Sequence, residues 1–160
     1  MALNSIDRQI IRATQSGLPL VPRPYHAIAD TLGLSAQEVM QRIYSMQEIG
    51  IIRRIGAVPN HYRLGYKYNG MTVWDINDQF IDEFGKKVGQ LEFVSHCYHR
   101  PRHLPDWPYN LYAMIHSKTS EGIKTQVNKI STVLGKYSRN NDVLYSTQIL
   151  KKTGLRIGTN

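Results

Sequence analysis

The sequence predicts an α+β chain in two parts: a winged helix-turn-helix, residues 1–60, then a ferredoxin-like βαββαβ domain, residues 61–160. Three observations predict it. Residues 4–56 place apolar side chains at helical spacing between capping and glycine signals; from Gly65 the pattern changes to strand, helix, strand, strand, helix, strand; and 160 residues with 41% hydrophobic content suffice for two small cores.

In the first part, a helix near Ser5 to Gln15 puts Ile6, Ile10 and Ala13 on one face, and the turn GLPLVPRPY stops it. Pro24 then opens a helix over Tyr25 to Leu32, which Gly33 ends. Ser35 and Glu38 form a capping box for a third helix with Val39, Ile43 and Met46 at helical spacing, closed by Gly50. Ile51 to Pro59 reads as a short wing strand. In the second part, strands are expected near Tyr66–Ile76, Glu92–Arg100, Tyr109–His116 and Asp142–Leu150. The intervening stripes Ile81, Phe84, Val88, Leu91 and Ile123, Val127, Ile130, Leu134 are core faces of two helices. Alternation sends Tyr109, Leu111, Ala113 and Ile115 toward those helices and Asn110, Tyr112, Met114 and His116 to the open face.

A formal charge of +8 invites a nucleic-acid reading, but the excess is C-terminal: residues 117–160 hold eight Lys and Arg against two Asp and Glu. Lys124, Lys129 and Lys136 fall on the solvated side of a helix, so the excess needs no anionic partner. The third helix carries Arg42 alone against Glu38 and Glu48, a poor face for phosphate. No apolar run approaches the roughly 20 residues of a membrane helix, and charges occupy the first residues where a secretory signal needs an apolar core. The expectation is a cytoplasmic protein with no membrane association. The one cysteine, Cys97, excludes an internal disulfide and fits a buried strand position.

The stretch FVSHCYHRPRHLPDWPYN, Phe93 to Asn110, carries the chemistry. Alternation gives one face His96, Tyr98 and Arg100, and the other Phe93, Ser95, Cys97 and His99. Pro101 ends the strand, leaving Arg102, His103 and Trp107 in a stiff loop closing over the first face. Arg100 and Arg102 are suited to gripping carboxylates or phosphates, and a histidine to moving a proton near neutral pH. His96, His99, His103 and Cys97 are metal-ligand types, but alternation separates His96 from His99 and no second ligand pair exists, so no metal site is expected. His26, His61 and His116 read as structural histidines.

A helix-turn-helix followed by such a domain, with GIIRRIGAVPN and LGY between them, resembles the AsnC and leucine-responsive regulator family. More specifically, GLPLVPRPY, GIIRRIGAVPNHY, NGMTVWD, FVSHCYHRPRHLP and WPYNLYAM resemble the siroheme decarboxylase proteins. That resemblance implies an enzyme of haem d1 synthesis and the alternative haem route. It would remove the carboxyl groups of two acetate side chains of siroheme, as one of two related subunits, with siroheme as substrate. A flat, carboxylate-fringed macrocycle calls for cationic forks and an aromatic floor. His96 is then the proton donor or relay, and His99 competes for the role because a bulge would reverse the face assignment. Tyr98 would orient the donor; Arg100 and Arg102 would bind spectator carboxylates; His103, Trp107, Asn110 and Tyr112 would line the pocket. No motif for a cofactor separate from the substrate is present, the tetrapyrrole itself being the electron sink, and the sequence does not choose a histidine ligand for its iron. The rival readings are a DNA-binding regulator, using Arg53, Arg54 and the third helix, and a tetrapyrrole sensor without turnover.

Overall fold

The computed structural model describes residues 3–151 and 156–158. They divide into two compact units: one runs to Val58 and takes in the chain from Lys151, the other is Pro59–Leu150.

The first unit holds three helices, α1 (Ser5–Thr14), α2 (Pro24–Leu32) and α3 (Ala36–Glu48). Asn4 caps α1, accepting from the Asp7 amide while Asp7 accepts from the Asn4 amide, a reciprocal box that a reading centred on Ser5 passes over. Gly33 ends α2 at φ 67°, a left-handed conformation that a side chain would oppose. Only half of the box expected at α3 forms. Ser35 accepts from the Glu38 amide, while the Glu38 carboxylate turns to Arg42, which also reaches Asp7 of α1. Ile10, Ile28, Ala29, Val39, Ile43 and Met46 make the core. Residues 51–59 are irregular, not a wing strand, because among the described residues no strand lies beside them to complete a ladder. Residues 156–158, expected with the second domain, belong to this unit. The Ile157 amide donates to Gln15 Oε1 at 2.9 Å and the Arg156 guanidinium to Gln15 O.

The second unit is an antiparallel sheet of β1 (Tyr68–Ile76), β2 (Val94–His99), β3 (Leu111–Ser117) and β4 (Ser138–Tyr145), in the order β2-β3-β1-β4. Helices α4 (Ile81–Gly89) and α5 (Ser120–Leu134) connect it as the βαββαβ pattern requires. Trp74, Ile76, Phe84, Val88, Leu111, Ala113, Ile115, Ile123, Ile130 and Leu134 fill the layer between sheet and helices. A β-carbon on Gly122 would collide with Ser117 Oγ, so α5 starts tight against the end of β3. The last strand begins at Ser138, earlier than the expected Asp142, and ends at Tyr145, where pairing with β1 stops.

The sequence-based face assignment fails just before β3. Tyr109 packs with Val73 and Tyr112 on the open side rather than against the helices. Asn110, expected to face a ligand, is 1% exposed and hooks the end of β1: its Oδ1 accepts from the Ile76 amide and its Nδ2 donates to Ile76 O and Asp78. These two residues precede the ladder, where strict alternation has no force. Arg102, expected to bind a carboxylate, is likewise engaged within the protein. Its Nε donates to Pro108 O at 2.8 Å, its Nη2 to Asp75 at 2.8 Å and to Ile76 O, and its Nη1 to Asp78. The side chain is 12% exposed and all three nitrogens are engaged, so this cation fastens the loop after β2 to the end of β1. Burial pushes the Asp75 carboxyl up, but hydrogen bonds from Arg139 and Arg102 outweigh it and hold it below the usual carboxylate range; Arg102 likewise lowers Asp78.

Two outcomes follow for stability. Asn110→Ala, which leaves the Ile76 amide and carbonyl unpaired, lowers unfolding free energy by about 2 kcal/mol in urea titrations. Arg102→Ala costs about 2 kcal/mol near neutral pH, because Asp75 then keeps Arg139 alone and Pro108 O loses its donor. Because both carboxylates have depressed folded-state pKa values, their contribution is full above about pH 4 and lost as pH falls further. Urea titrations repeated in acid therefore show the gap between wild type and variant shrinking.

Candidate active site

The open face of the sheet is built from rows that cross its strands. One row pairs His96 with Met114, Met71 and Leu144; the next pairs Tyr98 with Tyr112, Val73 and Asp142. Met71, Val73, Tyr109, Tyr112 and Trp107 form a small apolar cluster on this face. The result is a floor rich in flat and polarisable groups.

His96, Tyr98 and Arg100 meet on this floor as the sequence predicts. The rings of His96 and Tyr98 are stacked with centroids 6.0 Å apart, and the Arg100 guanidinium lies over Tyr98 at 5.7 Å and Tyr112 at 5.0 Å. Unlike Arg102, Arg100 rests on aromatic faces, and among the described residues no ion pair to a carboxylate holds it. It is an exposed guanidinium whose donors are available to an incoming carboxylate.

The remaining predicted residues are distributed differently. His99 pairs with Leu111, a core residue of the helix-facing side, so the structure does not bring it to the His96 face. His103 is exposed and closes the loop through two main-chain hydrogen bonds with Trp107, at 2.9 and 2.8 Å. The indole of Trp107 donates to the Tyr112 hydroxyl. Tyr112, at 7% exposure, is therefore capped by the loop and lies beneath the Arg100 guanidinium. Cys97 packs with the helix-side core, where burial pushes its thiol up and away from reactivity. Among the described residues no three His, Cys, Asp or Glu side chains converge as a metal site.

One part of the site lies outside the sequence reading. The β2 register shifts between Val94 and His96, a bulge that turns Ser95 to the same face as His96. Ser95 Oγ lies 3.1 Å from His96 Nδ1 and 2.8 Å from His116 Nε2, while His116 Nδ1 lies 2.5 Å from Asn69 Oδ1. His116, read from sequence as structural, is thus linked to His96 through one hydroxyl. The available signal was that Asn69 and His116 are polar at strand positions sharing the open side.

Similarity to known proteins gives the family. Residues 7–53 match the family model of the siroheme decarboxylase NirDL-like HTH domain, and residues 63–151 that of the AsnC-like ligand binding domain. The chain is 52% identical over 152 residues to the siroheme decarboxylase NirH subunit of Pseudomonas aeruginosa, covering 95% of this chain and 89% of that one. It is 47% identical over 152 residues to the NirH subunit of Stutzerimonas stutzeri, covering 95% and 90%. The crystal structure of the siroheme decarboxylase NirDL in co-complex with an iron-uroporphyrin III analogue matches with a TM-score of 0.66 at 34% identity, over 98% of this chain and 47% of that longer chain. E. coli AsnC matches with a TM-score of 0.79 at 18% identity, over 97% of this chain and 99% of that one, which shows a shared fold alone. The chain belongs to the family of siroheme decarboxylase subunits, carboxy-lyases carried on an AsnC-type frame.

Proposed function

We propose that this chain, with a related subunit, decarboxylates two acetate side chains of siroheme to give didecarboxysiroheme, in haem d1 or alternative haem biosynthesis. The observation that carries the reading, beyond family membership, is an exposed Arg100 held over two aromatic rings beside His96. The apolar floor of Met71, Met114 and Leu144 suits the flat macrocycle, and Arg100 pairs with one of its peripheral carboxylates, fixing the reacting acetate in register. Tyr98 holds the imidazole of His96 by stacking. Arg102, Asn110 and Tyr112 support the site without touching substrate, and Trp107 with His103 closes its loop.

When the acetate loses carbon dioxide, the bonding pair stays on the methylene carbon and spreads into the tetrapyrrole. A proton from His96 then forms the new C–H bond, converting acetate to methyl, and solvent returns a proton to the imidazole. The macrocycle itself accepts the charge, so the reaction uses no separate cofactor. The protein works in the cytoplasm; among the described residues no helix is long and apolar enough to cross a membrane.

A DNA-binding role is disfavoured by α3 itself. Its single cation, Arg42, is bound to Asp7 at 2.9 Å and Glu38 at 2.9 Å, and the helix exposes Met40 and Tyr44. A sensor would bind siroheme without consuming it.

The test is anaerobic incubation of siroheme with the paired subunits and mass spectrometry of the tetrapyrrole. The expected product has lost two molecules of carbon dioxide; intact siroheme would refute the reading. His96→Ala lowers kcat by about a hundredfold or more with KM little changed, whereas Arg100→Ala acts mainly on KM, raising it about tenfold.

A further inference from the structure

His96 does not sit alone on the open face. Its Nδ1 is 3.1 Å from Ser95 Oγ, which is 2.8 Å from His116 Nε2; His116 Nδ1 is 2.5 Å from Asn69 Oδ1, and Asn69 Nδ2 donates to the Tyr62 hydroxyl at 2.9 Å. We infer that Asn69, His116 and Ser95 are positioning residues that lock His96 as the Nδ1–H tautomer and leave its Nε2 as the atom that exchanges a proton with the substrate. The inference rests on the decarboxylase reading for its chemical purpose.

The direction of each bond follows from what each atom can do. An amide oxygen only accepts, so His116 Nδ1 carries the hydrogen that it shares with Asn69. Neutral His116 then has its lone pair on Nε2, and Ser95 must donate to it. With its single hydrogen committed, Ser95 Oγ can only accept from His96, which places the hydrogen of that bond on Nδ1. The other ring nitrogen, Nε2, points its lone pair or its acidic proton away from the network. Protonation of His116 leaves this outcome unchanged. His116 Nε2 then donates to Ser95 Oγ, the serine hydroxyl turns to Met114 O at 3.3 Å, and a second oxygen lone pair still accepts from His96. The bulge after Val94 makes this possible, since regular alternation would put Ser95 on the opposite side from His96.

The fixed tautomer has a kinetic consequence. An imidazole that has delivered its proton from Nε2 keeps hydrogen on Nδ1, so the same nitrogen is ready to be reloaded and the ring need neither flip nor re-equilibrate between turnovers. His116 and Asn69 pair with each other near the Tyr68–Ser117 end of the β1–β3 ladder.

The experiment labels the full-length chain with 15N-histidine and reads the two-bond 1H–15N pattern of neutral His96. The expected signature is a protonated Nδ1 and a bare Nε2 in the wild type. Ser95→Ala loses that preference, and Ser95→Thr, which keeps the hydroxyl, restores it. With siroheme and the paired subunit, Ser95→Ala lowers kcat about tenfold at unchanged KM, a part of the hundredfold or more of a positioned acid, and the threonine variant recovers most of the loss. A neutral His96 protonated at Nε2 in the wild type, or an unaltered kcat in Ser95→Ala, overturns the inference. The spectrum needs no substrate, so a protein with the Nδ1–H signature that leaves siroheme intact refutes the decarboxylase reading alone. One that turns over siroheme with the opposite tautomer refutes the relay alone.

Discussion

The site depends on the division of labour between two arginines that stand two residues apart. Arg102 has all its donor nitrogens tied to Asp75, Asp78, Ile76 O and Pro108 O, which straps the loop after β2 across the end of β1. That strap fixes where Trp107 and Tyr109 lie, and these fill one end of the open face against Val73 and Tyr112. Only because that end is filled does Tyr112 offer a rigid ring beneath Arg100. A largely buried cation with two carboxylates is a poor source of net stability compared with a hydrocarbon plug of the same volume, but it specifies one loop position where apolar packing would tolerate several. Arg100, two residues earlier, is then the exposed charge of the pair.

Local signals in the sequence read well and long-range ones did not. The three helices of the first unit follow from Pro24, Gly33, Ser35 and the stripe through Val39, Ile43 and Met46, all information within a turn or two of where it acts. The inward set Leu111, Ala113 and Ile115 follows from alternation within one strand. The role of Arg102 did not, because Asp75 and Asp78 lie 27 and 24 residues earlier and nothing in composition joins them. Ser95 was misplaced for a different reason. A bulge inserts one residue into the count, and a serine between valine and histidine carries no mark of it. The pairing that would reveal it belongs to β3.

The helical unit has the fold of a helix-turn-helix domain without a cationic recognition face. Arg42 occupies the middle of α3, where a phosphate contact would be natural, and instead ties α3 to α1 through Asp7 while holding Glu38. The exposed Met40 and Tyr44 on the same helix favour apolar contact over a polyanion. An internal ion pair that fixes helix packing and a helix face without a free cation both point away from the groove of a duplex.

An uncovered sheet face is an unusual place to leave methionines and tyrosines, since antiparallel sheets with one solvated side normally present polar residues there. Here Met71, Met114, Leu144 and Tyr98 occupy that side beside Asp142, while three further polar residues, Ser95, His116 and Asn69, are hydrogen-bonded to one another at its margin. The arrangement separates two tasks by position. The apolar rows offer area to a broad planar ligand, where binding grows with the surface removed from water. The polar margin has too few free donors to bind much on its own, but it reaches the ring of His96 through a single hydroxyl and so governs which nitrogen faces the ligand. On the proposed reading, affinity and proton delivery are carried by different residues of the same face. The two properties can vary independently, which a site combining both in one cationic cluster would not allow.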